Sequence, residues 1–235
     1  MARLIAAQFS RPTVAGQQGQ ARPVMVIPGF MGNDLASVLL RRTLWACGFR
    51  AYGWKQGFNR GASSKKFARL LDCIDSIHRK EGQPLALVGW SLGGLYAREL
   101  AKHRPDKVSL VITLGTPFSR SLRLNNARKA YEAINDHAID SPPIARHPEV
   151  KPPVRTIAMW SKRDGIVAPA SASGRDHEVD ESIELHCRHH DFLSAPEALK
   201  AVLAALSHRY PASTSIAATI DDSPAPIGTG TPALT

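Results

Sequence analysis

One stretch constrains this chain more than any other: Pro84 to Leu100, with Gly89-Trp90-Ser91-Leu92-Gly93 at its centre. Leu85 to Val88 is a short apolar run that reads as a buried strand. Ala97 to Ala101 is a good helix former. The pattern between them predicts a sharp strand-to-helix turn that lifts one hydroxyl above a sheet. Gly89 and Gly93 leave room where side chains would collide, and Gly94 is expected to let the helix pack close to the strands. Ser91 then stands at a helix N-terminus, where the backbone N–H of Leu92 can face a developing oxyanion. Taken alone, the pattern is also that of a glycine-rich turn with a capping serine. The strand before it and the helix after it make Ser91 a candidate nucleophile.

The rest of the chain supplies a frame for such a turn. Pro23–Pro28 reads as a buried strand, followed by Gly29-Phe30-Met31-Gly32 and a helix capped by Asn33 or Asp34. Leu35, Val38 and Leu39 are its expected inner face, and Gly48 its stop. Phe49–Tyr52 is a second strand. A helix from about 62 to 80 carries the stripe Phe67, Leu70, Leu71, Ile74 and Ile77, and Gly82 ends it. Val108–Leu114, Val154–Trp160 and Ser182–His186 are further strands. Ser194 and Glu197 form the pattern of a capping box for a last helix, with Leu199, Val202, Leu203 and Leu206 inside. Strands alternating with helices predict an α/β fold, with a mainly parallel sheet and helices on both faces. The expected organisation is a loose arm over 1–21, one domain over 22–210 and a disordered tail over 211–235. Within the domain, 119–153 reads as a mostly helical insert and a possible lid, with Leu122, Leu124, Ala127, Tyr131 and Ile134 on one face.

Composition narrows the function classes. Lys and Arg number 30 against 20 Asp and Glu, a net charge of +10. No nucleic-acid-binding signature accompanies that charge, so no nucleic-acid partner is expected. The densest basic group, Arg120, Arg123, Arg128 and Lys129, leaves room for peripheral contact with an anionic membrane. Cys47, Cys73 and Cys187 are widely spaced and odd in number, which fits a reducing compartment and a cytoplasmic location. No signal-peptide core and no run of membrane-spanning length is found.

A serine nucleophile needs a base to take its proton and an acid to orient that base. In such a sheet these come from loops after later strands, in the order Ser, acid, His. Asp164 follows the strand ending at Trp160, with Gly165 beside it to allow a tight turn; Asp176 and Asp180 compete. Candidate bases are His186, His189 and His190, with His177 more distant. The same histidine cluster lacks a carboxylate or cysteine partner at ligand spacing, so no metal is expected. The loop after the first strand offers the backbone N–H of Phe30 as second oxyanion donor, beside that of Leu92.

These stretches together resemble the α/β-hydrolases, within a lipase and esterase branch that is also similar to GPI-inositol deacylases. The matching segments are Val26–Phe30, Val88–Leu95, Thr113–Pro117, Trp160–Val167 and Ile183–Pro196. The resemblance implies carboxylic ester hydrolysis through an acyl-enzyme, with no cofactor, and the leading expectation for the substrate is a lipid-like or other apolar acyl ester. It carries over Ser91 as nucleophile, Asp164 as acid and His189 as base, the last lying seven residues before Pro196. Phe30 and Leu92 carry over as oxyanion donors. Departures are Cys187-Arg188 and Asp191 around the base, where relatives often hold Gly-Ser and Gly, and Phe118 after the Thr-Pro turn, where a His is frequent. The short arm before Pro23 implies a reduced sheet of about six strands. An acyltransferase using the same three residues, and a silent binding protein on the same fold, are the rival readings.

Overall fold

A β-strand with both faces covered needs an unbroken apolar run, and four of the six strands among the described residues have one or nearly one. The computed structural model describes residues 21–119 and 147–207. The arm over 1–20, most of the insert (120–146, with Arg120, Arg123, Arg128 and Lys129) and the tail beyond 207 lie outside the described residues. β1 (Pro23–Ile27) and β3 (Leu85–Trp90) are buried along their whole length. With β2 (Arg50–Gly53), β4 (Val108–Leu114), β5 (Arg155–Ser161) and β6 (Glu181–Leu185) they form one six-stranded sheet in the order β2-β1-β3-β4-β5-β6. Every pairing is parallel, with Val26 opposite Val88, Val88 opposite Ile112 and Met159 opposite Ile183.

Parallel neighbours require crossovers, and the helices supply them. α1 (Val38–Ala46), α2 (Ser64–Glu81), α3 (Leu92–His103), the single turn α4 (Pro169–Ala172) and α5 (Pro196–Ser207) follow in chain order. Side chains alternate across each strand, so the sheet has two cores. Val24, Val26, Val88 and Ile112 meet Leu40 and Leu44 of α1 and Leu199 and Val202 of α5. Met25, Ile27, Leu87 and Val111 meet Phe67, Leu70 and Ile74 of α2 and Leu95 and Leu100 of α3. No helix among the described residues is long and apolar enough to cross a membrane.

The chain runs outward from β1 to β2, then returns past β1 to β3 and continues to β6. The direction therefore reverses between β1 and β3. In a sheet of this kind the crevice for a ligand opens there, beyond the carboxyl ends of the strands. Phe30 follows β1 and Ser91 follows β3.

Two helix starts differ from expectation. α1 begins at Val38, not at Asn33 or Asp34, because Asp34 is committed elsewhere: its carboxylate accepts the N–H groups of Trp54 (2.9 Å) and Lys55 (3.1 Å). The inner face of α1 is then Leu40, Thr43 and Leu44, and Leu35 is left in solvent. The Ser194–Glu197 capping box does not form, since both Glu197 carboxylate oxygens accept from the backbone N–H of His186. By contrast α2 ends as predicted, with Gly82 in the left-handed conformation at φ +63° and Ser63 capping its start.

Candidate active site

The turn after β3 bends as its glycines require. Ser91 has φ +52° and ψ −122°, a conformation that costs a non-glycine residue about 1–3 kcal/mol. The surroundings hold it there. Its N–H donates to the Leu114 carbonyl on β4 (2.8 Å), and its carbonyl accepts from Gly94 (3.0 Å). A Cβ on Gly93 would come within 2.2 Å of the Ile27 carbonyl oxygen, and one on Gly89 within 2.4 Å of the Gly93 carbonyl oxygen. Gly94 makes room for the loop after β4 rather than for a strand, since a Cβ there would lie 2.0 Å from Thr116 Oγ1. Leu92 is the first residue of α3, where no carbonyl of the helix can reach its N–H.

The loop after β1 passes against this turn. A Cβ on Gly29 would lie 3.0 Å from Ser91 Cβ and 2.9 Å from the Trp90 ring, which brings Phe30 beside the serine. Asn59, fully buried, fixes that loop. Its Nδ2 donates to the Pro28 carbonyl (2.8 Å), its N–H to Gly32 O (2.8 Å), and its carbonyl accepts from Met31 N–H (2.7 Å). Sequence reading gave Asn59 no role; its place in a Gly-flanked loop, Gly57 to Gly61, is the one signal it left.

The candidate acid and the candidate base meet on the other side of β3. Asp164 follows β5, and its Oδ1 accepts from the N–H groups of Ile166 (2.9 Å) and Val167 (2.7 Å). Its Oδ2 is 2.8 Å from His189 Nδ1. Both side chains are buried, at 2% and 4% exposed. An ionised carboxylate only accepts. His189 Nδ1 therefore carries the hydrogen, which leaves Nε2 of the neutral ring as an acceptor. His189 opens a 3₁₀ turn, His189–Leu193, after β6. Its N–H donates to the Asp164 carbonyl (3.1 Å), and its own carbonyl accepts from Trp90 Nε1 (2.9 Å). The Trp90 ring also lies against the His189 ring, with centroids 5.4 Å apart. Trp90 thus ties the base to the residue next to Ser91. No hydrogen bond joins Ser91 and His189 directly among the described residues.

The competing residues point elsewhere. His186 is exposed rather than buried beside the sheet, and its ring faces Glu197 at 3.3 Å. His190 is exposed, with its ring against the outer edge of Trp90 (5.6 Å). Asp176 and His177 are exposed. Asp180 sits at the opposite, amino edge of the sheet, where it accepts from Thr156 N–H (2.8 Å) and Lys151 Nζ (2.7 Å). Cys187 is buried, and burial pushes its thiol up to about 11. Phe118, at the position where a histidine was the more frequent residue, is fully buried beneath the guanidinium of Arg98 (4.1 Å) and faces the core.

The parallel sheet with its flanking helices is shared with many solved structures. A metagenome-derived lipolytic enzyme (LipS or LipT) superposes with a TM-score of 0.58 at 15% identity, over 80% of this chain and 94% of that one. An alpha/beta hydrolase from the metagenome of lagoon sediments at Mar Chica, Morocco, gives 0.56 at 18% identity, over 80% and 91%. The fold is that of the α/β-hydrolases. The naproxen esterase of Bacillus subtilis matches the same α/β-hydrolase sheet with a TM-score of 0.53 at 14% identity, over 82% of this chain and 85% of that one. No protein-family profile and no curated protein matches the sequence.

Proposed function

We propose that the chain is a serine hydrolase that cleaves carboxylic esters, with Ser91 as nucleophile, His189 as base and Asp164 as the acid that orients it. The observation that carries this reading is the bond between buried Asp164 and His189, on the same edge of the sheet as the strained turn at Ser91. The α/β-hydrolase neighbours named above include a lipolytic enzyme and a carboxylic esterase, which supports ester hydrolysis as the class. The motif resemblance to GPI-inositol deacylases supports a lipid-like acyl ester over a small polar one.

In this mechanism His189 Nε2 removes the Ser91 hydroxyl proton as the oxygen attacks the ester carbonyl. Asp164 remains ionised and stabilises the imidazolium. The oxyanion accepts from the N–H groups of Phe30 and Leu92. His189 then returns the proton to the leaving alcohol, and the acyl group stays on Ser91. Water repeats the sequence and releases the acid. The step from apo to reacting geometry is the closing of Ser91 Oγ onto Nε2, since catalytic hydrogen bonds often form only with substrate bound.

A fluorophosphonate probe, which phosphonylates activated serines, tests the assignment. The native chain is expected to label, and Ser91→Ala to stay blank with turnover of a p-nitrophenyl ester reduced on the order of 10⁶-fold. A folded Ser91→Ala protein that still labels or turns over would refute it.

A further inference from the structure

Five large apolar side chains are conspicuously exposed among the described residues: Met31, Leu35, Trp45, Phe58 and Val150. Trp45 and Val150 belong to segments that lead into β2 and β5, at the amino edge of the sheet. The other three, at 44%, 75% and 51% exposure, are on the loops after β1 and β2, at the edge that carries Ser91. These two loops are stapled together through Met31 and Asn59, and through Asp34 and the N–H groups of Trp54 and Lys55. The staples fix the backbone and leave the apolar side chains in water. Two residues here are even held at positive φ, Met31 at +57° and Lys55 at +54°. With Ser91, they are the three non-glycine residues in that conformation among the described residues. Exposed apolar side chains gathered at one edge of a sheet mark an interaction surface.

The cations near this face outnumber the acids, with exposed Asp72, three residues beyond Arg69, the next acid along α2. Asp34 is the only acidic residue in 28–37 and 54–63, and both its oxygens are occupied by backbone N–H groups. Lys55, Lys65 and Arg69 are exposed and make no ion pair among the described residues. Lys66 lies over the Trp54 ring (5.4 Å), and its ammonium is lowered first by burial and then by the charge of Arg60. Elsewhere some cations are matched, Arg104 and Lys107 with Asp75, Lys151 with Asp180, Arg155 with Glu181 and Lys162 with Glu184, while Arg42, Arg79 and Arg163 are exposed without an ion pair among the described residues.

We propose that this face is a docking surface for an anionic lipid bilayer, with Met31, Leu35 and Phe58 entering the headgroup boundary and Lys55, Lys65 and Arg69 meeting the anionic headgroups. The complementarity is that of an interfacial surface, apolar at its centre and basic at its rim. It rests on the ester-hydrolase reading for its purpose, because it would turn the crevice between β1 and β3 toward lipid, but not for its test.

The test is sedimentation of the full chain with vesicles of ether-linked phosphatidylcholine, alone or mixed with ether-linked phosphatidylglycerol. These lipids contain no ester, so binding is read independently of hydrolysis. The expected result is partition onto the anionic vesicles, little onto the neutral ones, and release by salt. Lys65→Gln with Arg69→Gln should weaken partition roughly 25-fold, about fivefold per charge. Leu35→Ser with Phe58→Ser should weaken it about tenfold; both positions are exposed, and an unchanged melting temperature verifies folding. Failure of the native chain to bind anionic vesicles at low salt overturns the proposal. So does binding that both double variants leave intact. Sedimentation equilibrium without lipid covers the other occupant: a dimer dissolved by Phe58→Ser would make the face a contact between copies and refute the lipid assignment.

Discussion

The loops after β5 and β6 and the loops after β1 and β2 leave the same edge of the sheet, yet they are built in opposite ways. On the β5–β6 side the side chains are immobilised. Asp164, His189, Phe192 and Leu193 are all buried, and the carboxylate has a partner on each oxygen. On the β1–β2 side the backbone is immobilised and the side chains are released: Asn59 and Asp34 hold main-chain groups, while Met31, Leu35 and Phe58 stand in solvent. Proton transfer tolerates little positional error, so the groups that would move protons need fixed side chains. An oxyanion donor is a main-chain N–H, so a fixed backbone suffices there, and the side chains are free to meet something else.

The comparison can be broken on its rigid side first. Asp164→Asn keeps the shape of the side chain but removes the charge that favours hydrogen on His189 Nδ1, and turnover is expected to fall by about 10⁴. Asp180→Asn, at the far edge, should leave turnover within a few-fold and lower stability by about 1 kcal/mol in a urea melt. If Asp180→Asn is the crippling change, the roles of the two carboxylates are reversed and the account of the edge fails.

Trp90→Phe sharpens the comparison, because it removes one hydrogen bond and keeps most of the ring. The His189 carbonyl loses its donor, and kcat for a soluble ester is expected to drop about tenfold with KM little changed. A lowered melting temperature with kcat and the rate of acylation unchanged would assign Trp90 to packing alone.

The smallest effect concerns Cys187, two residues before the base. With its thiol pushed up to about 11 by burial, about one part in a thousand is thiolate at pH 8. Iodoacetamide should therefore modify Cys187 only after unfolding, as read by mass spectrometry. The linkage has the sign of a raised pKa. Its contribution to stability is present below the ordinary thiol value near ~8.5 and is lost as pH rises toward about 11. Alkylation of the folded chain at pH 8 would show that the β6 loop opens and that this side is less rigid than drawn here.

What was readable in advance follows the same division. The turn at Ser91 was legible because its two glycines are required locally, and Asp164 because it leaves a strand beside Gly165 (φ +77°). The parallel sheet followed from strands alternating with helices, and its six strands from the short arm before Pro23. The start of α1 was not legible: Asn33 and Asp34 are good caps by type, but the Asp34 carboxylate is claimed by residues 20 and 21 positions away. The Glu197 capping box failed for the same reason, with His186 N–H as the competitor 11 positions back. Trp90 and His189 are 99 positions apart, so no local pattern could link them. Among the histidines, the residue types alone left His186, His189 and His190 open. The structure separates them by direction, toward Glu197, Asp164 and the outer edge of Trp90.

That separation leads to the most direct measurement of the central claim, which is that His189 serves Ser91 across β3. The rate of fluorophosphonate labelling is compared for the native chain, His189→Ala and His190→Ala, each verified as folded by its melting temperature. His189→Ala is expected to lose nearly all labelling, since no other described side chain bonded to Asp164 could take the serine proton. His190→Ala is expected to keep most of it, because its ring is exposed, packs edge-on against the Trp90 and His189 rings and is bonded to no carboxylate among the described residues. Labelling that survives His189→Ala and disappears with His190→Ala would contradict the account and move the base one residue along the turn.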